Sequence, residues 1–168
     1  KTHKFKDPVK IYKCDINKIN ENLLKNVYAV VHLAALSNDP LGNFNKNLTK
    51  KFNVDGTKSL AIKCKKMGVK KFLFSSSCIM YGATSNNIVN ENSKLKPSTE
   101  YAKSKVKSEI FLSKLADKSF SPVFLRNGTI YGFSPRMRLD TVLNNFMAQA
   151  YSNNKIDIYG DGLPFRPV

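Results

Sequence analysis

Cysteine is scarce in this chain of 168 residues, with only Cys14, Cys64 and Cys78. An odd number at scattered positions, without a C-x-x-C pair and with two histidines to help, argues against a disulfide framework and against a zinc site. It favours a reducing, cytoplasmic setting. Long apolar runs are missing too: none approaches the ~18 residues needed to span a bilayer. The opening Lys1-Thr2-His3-Lys4-Phe5-Lys6 lacks the apolar stretch of a secretory leader. Acidic residues are few, 12 against 28 basic ones, which leaves a net charge of +16. Arginine is scarcer still, at four against 24 lysines, and asparagine is abundant at 18. So basic a balance raises nucleic acid as a partner. The lysines are spread along the chain, however, and no aromatic-basic interleaving accompanies them, so nucleic-acid binding is not expected as the main role. Joint Lys and Asn enrichment is what an AT-rich coding sequence produces.

What remains is enough for a core, since 42% of residues are hydrophobic. Short β-branched runs predict strands at 9–14, 27–35, 69–76, 122–126 and 156–159. Helical spacing predicts helices at 47–67, 99–118 and 140–152, with a weaker helical turn at 20–26 and a polar loop at 83–98. The run at 27–35 is almost continuously apolar, as suits a strand buried on both faces of a parallel sheet. Gly68 ends the first long helix as a cap. In the second, Ala102, Val106, Ile110, Leu112 and Leu115 fall mainly on one side. Phe72, Phe74 and Phe124 are core by period, and Gly56 suits close packing of helix on sheet. Alternating strands and helices predict an α/β fold, a doubly wound parallel sheet with helices on both faces. Such a fold that binds dinucleotides opens with strand, glycine-rich turn and helix, yet no G-x-G-x-x-G spacing occurs. Both ends therefore read as cut.

Two elements could carry chemistry. Tyr101-Ala102-Lys103-Ser104-Lys105 sets a phenol and an ammonium four apart at a helix start, hence on one face. A phenol with a pKa near ~10 is a poor base at neutral pH, and a neighbouring cation favours its phenolate. In Phe74-Ser75-Ser76-Ser77-Cys78-Ile79-Met80-Tyr81-Gly82 an apolar strand runs directly into hydroxyls. Ligands of parallel sheets bind at the carboxyl ends of strands. Together these groups suit moving a proton on and off a sugar or alcohol oxygen. The bland alternatives are a surface Tyr-Lys pair and a Ser-rich loop that caps its own backbone. His32, at the end of a buried strand, reads as a core histidine.

With these residues in place, the chain resembles the extended short-chain dehydrogenases/reductases, in the NAD-dependent epimerase/dehydratase family that acts on nucleotide sugars. The pieces that carry the resemblance occur in family order. They are Asp15-Ile16, His32-Leu33-Ala34-Ala35, Asn53-Val54-Asp55-Gly56-Thr57, Ser75-Ser76-Ser77 with Tyr81-Gly82, and Tyr101 with Lys105. Arg126-Asn127-Gly128-Thr129-Ile130-Tyr131-Gly132 and Gly160-Asp161-Gly162 with Arg166 complete the series.

The resemblance implies a Rossmann-like fold and NAD as cofactor. Residues 1–152 would form a partial NAD-binding domain and 153–168 the start of a substrate-binding region. Asp15 and Ile16 would lie by the adenine, although Asp15 could be only a turn cap. Leu33, Ala34 and Ala35 would line the cofactor, with Asn53, Ser75 and Gly128 also on its side. Ser77 would hydrogen-bond the sugar hydroxyl, Tyr101 would act as base, and Lys105 would bind the nicotinamide ribose and depress the tyrosine pKa. Thr129 and Arg166 would meet the substrate. The implied reaction is epimerisation of a UDP-sugar through transient oxidation at C4. A reductase using the same residues is the alternative, and a non-catalytic basic binding module the second. The family's 4,6-dehydratases resemble Thr-Asp-Glu where this chain has Ser77, Cys78 and Ile79, which argues against dehydration. Family enzymes often pair through two helices, here 47–67 and 99–118, so a homodimer is an expectation.

Overall fold

A computed structural model of the chain describes residues 9–37, 45–82 and 88–160. Among them three strands form one parallel sheet in the order β1-β2-β3: β1 Ala29–His32, β2 Lys71–Ser77 and β3 Ser121–Asn127. β1 pairs from Ala29 opposite Lys71 to His32 opposite Phe74, and β2 pairs with β3 from Lys71 opposite Ser121 to Ser77 opposite Asn127. Helix α1 spans 46–66 as three continuous runs, Lys46–Thr49, a π-helical Lys50–Gly56, and Thr57–Lys66. Helix α2 is Glu100–Leu115 and helix α3 is Val142–Asn153. The α/β parallel architecture is the one expected.

Local chemistry sets the ends. Asn45 caps α1 by accepting from the Leu48 amide at 3.0 Å. At its far end Gly68 takes φ +81°, which lets the Val69 amide return to the Cys64 carbonyl and the Gly68 amide to that of Lys65. Thr99 caps α2 by accepting from the Ala102 amide at 3.1 Å. Glu100 lies in that first turn, at the positive end of the helix dipole.

The core sits between one face of the sheet and the two long helices. Period-2 alternation sends Phe72, Phe74 and Ser76 of β2 to that side, all buried. Leu60, Ala61 and Cys64 from α1, Leu112 from α2, and Val69 and Phe120 from the loops join Phe72 and Phe74 there, with Phe124 packed against them. Burial pushes the Cys64 thiol up to about 12, so it is an inert apolar filler. On the opposite face Val31, Val123 and Leu125 are 57%, 40% and 38% exposed. β1 is thus buried on its helix-covered side rather than on both.

Several expectations are corrected. Residues 9–14 form no strand: they pair with none of the described strands, and Val9, Ile11 and Tyr12 are exposed. Residues 156–159 form none either, because the Asp157 amide donates instead to the Gln149 side chain of α3 at 2.7 Å. Gly56 serves packing, though not on the sheet: a Cβ there would meet Ile16 Cγ2 at 3.2 Å and Asn17 Oδ1 at 3.3 Å. Ile110 is half exposed, since α2 buries Ala102, Ser104, Lys105, Ser108, Glu109 and Leu112. The turn expected at 20–26 is a short 3-10 helix, Glu21–Leu24.

Candidate active site

The carboxyl end of β2 and the first turns of α2 bring Ser75, Tyr101 and Lys105 of the sequence-predicted groups together. Lys105 is 4% exposed. Its ammonium donates to the Ser75 carbonyl at 2.6 Å and lies 4.7 Å from the centroid of the Phe74 ring and 5.5 Å from that of Tyr101. Burial lowers its pKa to about 8, partly opposed by the Glu109 carboxylate one helical turn away. At neutral pH it is therefore still mostly a cation, held beside the Tyr101 ring. Ser77 ends β2 and caps the following 3-10 turn, Cys78–Tyr81, accepting from the Ile79 amide at 3.4 Å. Ser75 Oγ accepts from Asn127 Nδ2 at 3.4 Å. Gly128 and Thr129 follow β3 directly, Gly128 exposed and Thr129 half-buried.

A buried polar chain runs beneath this group. Asn53, in the π-helical part of α1, is 1% exposed. Its Oδ1 accepts from the Leu36 amide at 2.8 Å, and its Nδ2 donates to the Leu36 carbonyl and to Ser104 Oγ. Ser104 donates in turn to the Tyr101 carbonyl at 2.7 Å. Asn53 thus acts through the backbone that follows β1 and through the start of α2. Its own carbonyl accepts from both Thr57 Oγ1 and Ser108 Oγ. With the Thr57 proton spent there, His32 Nε2 must be the donor in its 2.9 Å contact with Thr57 Oγ1. That leaves Nδ1 bare. Burial, and then Lys105, lower the His32 pKa to about 4. It is the core histidine expected.

On the other side of α1, Ile16, Ala34, Ala35, Leu36 and Phe52 line a cleft of about 190 Å³. Its walls come from the end of β1 and from the 3-10 turn Ile16–Lys18, which Asp15 caps by accepting from the Asn17 amide at 2.9 Å. Those hydrogen bonds hold the Asp15 carboxyl below its usual range. Asp15 is thus a turn cap and also a neighbour of the cleft. Leu33 is exposed beside it. Complete small-molecule sites occupy ~300–1,000 Å³, so this space suits one flat ring system of a larger ligand. Arg166, with Asp161 and Gly162, lies outside the described residues.

Sequence reasoning missed Leu36 and Phe52 as cleft walls. It also missed Glu109, whose position one turn beyond Lys105 on the same face of α2 was the available signal.

The model of the NAD dependent epimerase/dehydratase family matches residues 1–168. The chain belongs to this family. The dTDP-D-glucose 4,6-dehydratase of Mus musculus is 31% identical over 115 residues, 68% of this chain and 32% of that protein. The UDP-glucose 4-epimerase of Bacillus subtilis (strain 168) is 32% identical over 133 residues, 72% of this chain and 38% of that one. A solved structure of the UDP-N-acetylglucosamine 4-epimerase from Methanobrevibacter ruminantium M1, in complex with UDP-N-acetylmuramic acid, matches with a TM-score of 0.79 at 31% identity. That match covers 90% of this chain and 50% of that one. This epimerase/dehydratase chain thus spans about a third of the length of these curated relatives. None of its described helices is long and apolar enough to cross a membrane.

Proposed function

We propose that the chain carries the reacting groups of an NAD-dependent nucleotide-sugar epimerase of the 4-epimerase type. One observation carries this reading: the Lys105 ammonium, buried on Phe74 and bound to the Ser75 carbonyl, faces the Tyr101 ring at the carboxyl end of a parallel sheet. The apolar cleft of Ile16, Ala34, Ala35, Leu36 and Phe52 fits the adenine of NAD, and Lys105 and Ser75 would face its ribose end. When bound, NAD supplies the acceptor and later the donor of a hydride.

This chain's residues handle the proton and the geometry. Tyr101 takes the proton of the sugar C4 hydroxyl, and the Lys105 charge stabilises the phenolate that this requires. Ser77, at the strand end, holds the same hydroxyl, while Gly128 and Thr129 line the path beyond β3. Once the 4-keto sugar has turned, Tyr101 returns the proton to the C4 oxygen while hydride would be restored to C4 on its other face, which inverts that carbon and completes an epimerisation. A UDP-sugar is supported by the epimerase relatives. Dehydration would need an acid and a base after Ser77. Ile79 offers neither, and burial raises the Cys78 thiol.

Calorimetric titration of the chain with NAD, then with UDP-glucose, tests the reading, and absence of NAD binding overturns it for this chain. Tyr101→Phe should lower turnover at least ~100-fold while leaving NAD affinity within two-fold. Near-wild-type turnover would remove Tyr101 from its role. A dependence on added nicotinamide in every cycle would mark a reductase instead. Pairing of two copies is supported by Ile62 and Ile110, each about half exposed on α1 and α2, and sedimentation of the chain decides it.

A further inference from the structure

Arg126 sits where four parts of the molecule meet. On β3 it follows Phe124 by two residues and so points to the helix-covered side. Its Nε donates to Glu109 Oε1 at 3.1 Å and Oε2 at 3.2 Å, and its Nη2 to Oε2 at 2.7 Å. Glu109 is 5% exposed. The remaining nitrogen, Nη1, donates to the Tyr81 hydroxyl at 2.9 Å and to the Glu91 carbonyl at 3.0 Å. One planar fork therefore ties β3, α2, the Cys78–Tyr81 turn and segment 88–98 together. That segment is held at a second point. The Lys96 amide donates to the Met80 carbonyl at 2.9 Å, and Gly82, at φ +73°, lies so close that a Cβ there would be 2.3 Å from the Lys96 carbonyl oxygen.

We propose that Arg126 is a positioning residue of the site, clamping the turn that begins at Ser77 and segment 88–98 onto the helix that carries Tyr101 and Lys105. The inference rests on the reading of those three residues as the reacting groups. It follows from the path of the bonds: Tyr81 ends the turn that Ser77 caps, Glu109 stands one helical turn from Lys105 and two from Tyr101, and segment 88–98 leads into Thr99, the cap of α2. The guanidinium also governs how strongly Glu109 acts on Lys105. The groups that face Lys105 are Tyr101 and Glu109 from α2, His32 from β1, and the Ser75 carbonyl and Phe74 ring from β2, with Arg126 of β3 behind Glu109.

The test uses the chain without cofactor or substrate, so its outcome is independent of whether the epimerase reading holds. Amide hydrogen exchange is followed in the wild type, in Tyr81→Phe, which removes one acceptor and keeps the ring, and in Arg126→Lys, which keeps the charge and loses the fork. The Lys105 ammonium is titrated by nitrogen NMR in Arg126→Gln and Glu109→Gln. Amides of residues 90–98 should exchange at least ten-fold faster in Arg126→Lys and measurably faster in Tyr81→Phe, with residues 60–64 of α1 unchanged. The Lys105 midpoint should rise in Arg126→Gln, where Glu109 keeps its charge without a partner, and fall in Glu109→Gln. Simple loosening would move both midpoints upward, towards that of an exposed lysine. Unchanged exchange at 90–98 in Arg126→Lys, or midpoints moving in the same direction, overturns the proposal.

Discussion

The two long helices pack on the same face of the same sheet, and the second half of α1 buries mainly apolar surface where α2 buries mainly polar groups. The second half of α1 presents Leu60, Ala61 and Cys64, whereas α2 presents Ser104, Lys105, Ser108 and Glu109 beside Ala102 and Leu112. In α1, burial is a matter of transfer from water and is graded with area. In α2, each buried polar atom needs its partner, and the penalty for a missing one is steep. The stretch of α2 that carries Tyr101 and Lys105 is therefore held by hydrogen bonds, and the stretch of α1 behind it by packing.

The largest effect should come from breaking the polar side alone. Arg126→Met strands Glu109 as a buried carboxylate and should lower stability by about 3–5 kcal/mol in urea unfolding. Adding Glu109→Met should restore most of the loss, because the helix then buries apolar surface as α1 does. A double variant as unstable as the single one would refute the contrast. Leu60→Ala, the matching insult to α1, should cost about 2–5 kcal/mol and have no comparable single-residue rescue.

A third effect is read from pH. His32 titrates at about 4 when folded against 6.5 as the ordinary value, so the folded state binds fewer protons between those limits. Its contribution is complete above about 6.5 and is lost as the pH falls towards 4. The shift corresponds to roughly 3 kcal/mol, visible as a wild-type loss that His32→Gln lacks once the shared carboxylate titrations cancel. The smallest is Ser108→Ala, at about 1 kcal/mol, because the Asn53 carbonyl still accepts from Thr57.

The same contrast explains what could be read from sequence. The apolar side of α1, its Gly68 terminus and the alternation of β2 follow hydrophobic period and backbone chemistry, which need no knowledge of neighbours. The Tyr101–Lys105 pair was legible because four-residue spacing alone puts it on one face. The buried side of α2 was not: period favours Ile110, while Ser108 and Glu109 become interior only because Asn53 and Arg126, 55 and 17 residues away, supply their partners. Residues 9–14 and 156–159 have the composition of strands, yet a strand exists only beside another, and neither segment pairs with one among the described residues.

The parallel register of β2 and β3 has a consequence for insertions. Ser75, Ser76 and Ser77 stand opposite Leu125, Arg126 and Asn127, and side chains along β3 alternate between the two faces. One residue added within β3 ahead of Leu125 would turn the guanidinium to the open face and set Leu125 over Glu109. Two added residues would restore the facing but carry Arg126 some ~7 Å along the strand, out of reach of its carboxylate. The length of this strand up to Arg126 is thus fixed to the residue, and lengthening has to be absorbed in the turns outside it.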